Sequence, residues 1–234
     1  MPGLEDTKAG YAGGSSIKGC CTSDLNPPTI RTLAWLLMAL LALGVAGYAS
    51  AMLLSPELRP AHIQQLFVQQ PITAFAHFLG GAIALISGAL QVNAWFRTRF
   101  ISTHRWLGRL YVMAVVIGCI AGFVLALQSF GGWVANLGFG LLRVCWLACT
   151  LNAYRHIRQG NVSAHRSWMI RSYALTLAAV TLRLYLPTSQ IAGLSMTVAY
   201  PAIAWLCWVP NLLIAEWIVR TRHHVLVMPD RAFG

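Results

Sequence analysis

From residue 32 onward, long apolar runs alternate with short polar stretches, and this pattern predicts a helical membrane protein. Six apolar runs lie at about 32–54, 72–92, 106–127, 133–153, 168–186 and 199–219. Each approaches the roughly 20 residues an α-helix needs to cross about 30 Å of hydrocarbon. Residues 60–71, from Pro60 to Pro71, are too few and too polar to span, and they predict a short amphipathic helix along the interface. Residues 1–30 are rich in Gly, Ser and Pro and predict a flexible tail ending at Pro27-Pro28. No cleavable signal peptide is expected, because the first apolar run begins only after residue 30. The expected organisation is a cytoplasmic tail (1–30), a six-span membrane domain (31–220) and a cytoplasmic C-terminal tail (221–234).

Composition agrees with this pattern. Hydrophobic residues make up 57% of the chain and charged residues only 10%, against about 25% charged in a soluble domain. So few charges cannot cover a water-exposed surface, which excludes a soluble enzyme, a disordered chain and a fibrous protein. The bilayer is the expected partner.

The charges that remain are uneven: 17 Lys+Arg against 6 Asp+Glu, a net charge of +11. Arg97, Arg99 and Arg105 sit in the second loop, Arg155, Arg158 and Arg166 in the fourth, and Arg220 and Arg222 after the last span. The first loop sets Arg59 against Glu57, and the third and fifth carry no charge. Basic loops face the cytoplasm, so both termini are expected there. The excess of positive charge is then a topological signal, and no nucleic-acid partner is expected. Six cysteines give no disulfide framework, since Cys119, Cys145, Cys149 and Cys207 fall in apolar runs.

A weak internal repeat stands out. His104-Arg-Trp-Leu-Gly-Arg-Leu-Tyr111 opens the third span and His165-Arg-Ser-Trp-Met-Ile-Arg-Ser-Tyr173 opens the fifth. Spans two–three and four–five are then two hairpins of like orientation, related by an axis along the membrane normal. The expected fold is all-α: a four-helix core of spans two to five, flanked by spans one and six.

Ionisable residues within spans are costly and face the bundle interior. At about 1.5 Å per residue, His77 lies roughly 9 Å inside the outer edge of its span, Arg183 about 6 Å inside the same edge, and Arg143 near mid-depth. Arg109, Arg171 and Glu216 lie about a turn inside the cytoplasmic edge. Glu216 is the only carboxylate in any span and is at the right depth for a structural ion pair with Arg109 or Arg171. Arg183 can snorkel outward past Tyr185. Arg143 reaches neither edge easily; it must place its donors on carbonyls, on Asn136 or Thr groups, on water or on an anion. His77, within Thr73-Ala-Phe-Ala-His-Phe-Leu-Gly-Gly81, is a candidate proton carrier, metal ligand, haem ligand or hydrogen-bonded neutral ring. Gly80 and Gly81 allow a helix or a flat macrocycle to approach. His104 and His165 are either interfacial capping residues or a facing pair for a metal or a haem iron. No P-loop, dinucleotide fingerprint, His-Glu-x-x-His or Ser-His-Asp set is present. Ordinary enzyme turnover is therefore not expected, and the catalytic residues are unassigned.

These blocks, with Ala179-Val-Thr-Leu-Arg183, resemble a family of predicted prokaryotic membrane proteins, domain of unknown function 2306, over about residues 70–190. The resemblance implies a multi-pass protein of a prokaryotic inner membrane and assigns no activity. A looser likeness is to four-helix cytochromes of the b561 kind, where histidines on neighbouring helices hold haem. Here span four has no histidine to match His77, and His62 is its only candidate partner on the outer side. Three readings stay open: a redox protein binding haem b or a quinone through His77, His104, His165, Arg143 and Arg183; a small transporter or binder of an anionic small molecule or lipid, centred on Arg143; and a non-catalytic scaffold.

Overall fold

The computed structural model describes residues 28–227; the expected N-terminal tail and residues 228–234 lie outside the described residues. Among the described residues the chain is all-helical, with no strand. The helices are α1 (Pro28–Leu54), α2 (Ala61–Gln69), α3 (Pro71–Val92), α4 (Ala94–Arg99), α5 (Ile101–Ala126), α6 (Gly132–Arg158), α7 (Val162–Thr176), α8 (Ala178–Ile191), α9 (Met196–Leu206) and α10 (Val209–Val227). Among the described residues, five stretches are long and apolar enough to cross a membrane: Thr32–Leu54, Pro71–Val92, Ile101–Ala126, Gly132–Arg158 and Met196–Thr221. Residues 168–186, expected as a further span, fall in two shorter helices, α7 and α8, that meet at Leu177 and are not among these five. The last helix runs on to Val227, beyond residue 220 where the membrane domain was expected to end.

The break at Leu177 is slight. Its backbone stays right-handed helical, and Leu177 N–H donates to Tyr173 O while Thr181 N–H donates to Leu177 O. A tighter bond from Val180 N–H to the same carbonyl interrupts the regular turn. Asn211 of α10 lies against this point, its amide donating to Ala174 O, Thr181 Oγ1 and Cys207 O. Thr181 Oγ1 also donates to Cys207 O. A polar side chain wedged against the ladder is a regular cause of helix bending.

Helices α3, α5, α6 and α7 pack in chain order, with α1 along α3 and α9 and α10 along α6 and α7. Small residues set the closest approaches, as expected where lipid gives no hydrophobic drive to association. A Cβ on Gly80 would lie 2.8 Å from Ala114 O, so α5 occupies the face that sequence left open to a helix or a macrocycle. Gly81 faces open space. Gly138 of α6 lets Ala204 and Trp205 of α9 come equally near, and Trp205 Nε1–H donates to Val134 O at 3.1 Å.

A polar network locks the centre. Tyr111 Oη is 2.7 Å from Ser172 Oγ and 2.8 Å from Thr176 Oγ1, Trp146 Nε1–H donates to Thr176 Oγ1 at 2.9 Å, and Thr150 Oγ1 is 2.6 Å from Ser172 Oγ. All five side chains are buried. Each polar group has a partner, the condition under which a buried network orders a core.

At the α1–α2 end, Arg59 donates through Nε to Met52 O at 2.6 Å and its guanidinium lies 3.9 Å over the Phe67 ring. Phe67 in turn packs on Phe78 of α3 at 5.6 Å. One arginine thereby closes the carbonyl end of α1 and holds α2 down.

Candidate functional site

Within the bundle, His77 of α3 and Arg143 of α6 converge over Gly122 of α5. The place a Gly122 Cβ would occupy is 2.8 Å from His77 Nδ1 and 2.5 Å from Arg143 Nε. Residues 77 and 143 lie at different depths along their helices. The gap closes because side chains lean toward the helix N-terminus, and α6 starts at the end where His77 sits. His77 Nδ1 is 3.3 Å from Gly118 O. A carbonyl can only accept, so Nδ1 carries the proton and Nε2 is left with its lone pair.

Arg143 has no hydrogen bond or ion pair from its guanidinium among the described residues, and its Nε is buried without a partner. Asn136, which sequence offered as an acceptor, accepts from Ser129 Oγ–H and donates through Nδ2 to Leu127 O. His77 Nδ1–H is taken by Gly118 O, so the Arg143 Nε–H beside it over Gly122 is left without an acceptor. The arginine side chain is only partly buried, so open space adjoins it.

Arg183 of α8 lies within electrostatic reach of His77. It does not snorkel outward: Nη1 donates back to Ala179 O at 3.0 Å, its Nε is buried without a partner, and the guanidinium lies 5.3 Å from the centre of the Tyr48 ring on α1. The inward tilt of the Cα–Cβ bond, toward the start of α8, turns it this way. The charges of Arg143 and Arg183 both act at His77 and on each other. Tyr200, Cys119 and Cys207 lie within the field of Arg143. Tyr48, Gly122 and Tyr200 were not singled out from sequence. A glycine or tyrosine in an apolar run carries no mark of the side chain it will face.

The opposite end of the bundle holds the other candidates. Glu216 bridges two arginines: Arg171 at 2.7 Å and Arg220 at 2.9 Å. Arg171 also lies over the Trp168 ring at 4.8 Å. Arg109 takes no part and is exposed on α5. His165 Nδ1–H donates to Ala153 O at 2.9 Å, tying the start of α7 to α6. His104 Nδ1 is buried without a partner and lies within electrostatic reach of His165, Arg97 and Arg105. Arg97, in α4 outside the spans, is pushed below the usual guanidinium range by burial and by Arg166 beside it. This end is crowded with cations, which disfavours a bound metal cation. No group of three or more His, Cys, Asp or Glu gathers among the described residues. His62 is exposed on α2, and the ring that contacts His77 is Phe78.

No curated protein and no solved structure matches the chain. Residues 74–219, which carry His77, Gly122, Arg143, Arg183 and Glu216, match the family described as predicted membrane protein DUF2306, and the chain belongs to that family.

Proposed function

We propose that this protein binds an anionic ligand inside the membrane, in the pocket formed by His77, Arg143 and Arg183. In this reading the bundle crosses the bilayer six times, with α7 and α8 together making the fifth crossing. End to end these two run about 45 Å at ~1.5 Å per residue, ample for one span. Both termini lie in the cytoplasm of a prokaryotic cell and the basic loops face the same side, which reporter fusions at each loop test directly.

The observation that carries the reading is the unpartnered guanidinium of Arg143. A charge held in a low-dielectric interior without a counter-charge is expensive, and the sole span carboxylate, Glu216, is already shared by Arg171 and Arg220. An anion between Arg143 and Arg183 would supply what the fold lacks. Haem has less support, since among the described residues no second histidine lies beside the His77 ring.

Arg143→Gln separates a binding arginine from a structural one. If the charge is held for a ligand, the variant unfolds at the same or a higher temperature than the wild type in detergent without added anion. A marked loss of stability would mean that the arginine holds the fold together. Optical spectra of the oxidised and dithionite-reduced protein, expressed with haem supplied, test the redox reading. A Soret band with sharp reduced α and β bands would replace the anion reading with a haem site.

A further inference from the structure

We infer that the pocket fills sideways from the bilayer, through the seam between α1 and α8, and that its ligand is an anionic amphiphile. A carboxylate or phosphate head sits between Arg183 and Arg143, and an acyl chain stays in the seam. The inference rests on the anion-binding reading above.

Three features point to the seam. Helix α1 packs broadly along α3 but only sparingly against α8, and α8 otherwise leans on α9 and the end of α7. At that loose junction a single ring, Tyr48, covers the Arg183 guanidinium, and 42% of Tyr48 is exposed. In a membrane that exposed face meets lipid. One turn earlier on the same face of α1, Gly44 has no atom within 4 Å of where its Cβ would be. The strip of α1 beside Tyr48 is therefore open to the lipid, where a chain whose head has reached Arg183 would lie.

The axial route is obstructed. At the end of the bundle nearest the pocket, Phe130 and Phe139 both meet the Tyr200 ring edge to face, at 5.8 and 5.6 Å. Helix α2 lies over α3 through Phe67 and Phe78. Gln70, between these two helices, donates to Gln128 at the end of α5 at 2.5 Å. A hydrated ion arriving from the water must displace these contacts, whereas an amphiphile in the lipid meets one exposed tyrosine.

The test uses the full-length protein in dodecyl maltoside, followed by thermal unfolding in the presence of oleate, dioleoyl phosphatidate, acetate, inorganic phosphate or oleyl alcohol. Oleate or phosphatidate is expected to raise the unfolding temperature at concentrations where acetate, phosphate and the uncharged alcohol do not; which of the two acts identifies the head. Arg183→Gln is expected to weaken that response about tenfold, the loss of a charge-assisted contact. A fatty acid carrying a diazirine in its chain should label α1 near Gly44 and Tyr48 and the facing side of α8, and excess oleate should suppress the labelling. Equal shifts with acetate or phosphate would show that the site fills from water; the lateral route falls and the anion pocket stands. Equal shifts with oleyl alcohol, or no shift with any anion, would overturn both. Labelling spread evenly around the lipid-facing belt would overturn the seam.

Discussion

Tyr111 and Tyr173, which hold equivalent places in the two His-Arg blocks, meet over Gly88 and bond in opposite directions. A Cβ on Gly88 would overlap the Tyr173 ring and lie 3.2 Å from Tyr111. From there Tyr111 reaches Ser172 and Thr176 on α7, and Tyr173 Oη–H donates to Leu85 O on α3 at 3.3 Å. The repeat is thus a packing device, with each hairpin lending a tyrosine to the other.

Tyr111→Phe should lower stability by about 1–3 kcal/mol, the range for stranding buried hydroxyl partners. Tyr173→Phe should cost less, because it loses one longer bond. Denaturant unfolding in detergent compares the two, and equal costs would contradict the asymmetry.

Gly80→Leu should disrupt folding or sharply lower the unfolding temperature, since even a Cβ there presses on the α5 backbone. Gly81→Leu, pointing into open space, should be nearly neutral. Comparing the yield and unfolding temperature of both variants checks this.

Glu216→Gln removes the counter-charge of Arg171, whose side chain is 18% exposed, and should cost about 1 kcal/mol. Arg220→Gln should cost less, because Arg220 is 74% exposed and screened. Raising the salt concentration should narrow the gap between Glu216→Gln and the wild type.

Gly122→Ala places a methyl group where His77 and Arg143 meet. The variant should fold and lose the thermal response to oleate. An unchanged response would show that the ligand does not bind over Gly122.

Depth is readable from sequence; facing is not. Counting residues from the ends of the apolar runs places Glu216 level with both Arg109 and Arg171, yet only Arg171 turns toward α10. His77 and Arg143 look mismatched when their depths are counted along the chain. They meet because an arginine is long and leans toward the start of its helix. The division of the fifth run at Leu177 has no local signal, neither Gly nor Pro, because Asn211, 34 positions later in the sequence, lies against it.

That wedge has a rotational consequence. A regular helix turns about 100° per residue and a tighter, three-residue turn about 120°, so one tight step at Leu177 advances everything after it by about 20°. Six residues on, that offset bears on the azimuth of Arg183, between the lipid and the bundle axis. Asn211, which bonds to Ala174, Thr181 and Cys207 and not to Arg183, would through this step set the phase of the cation that faces Tyr48.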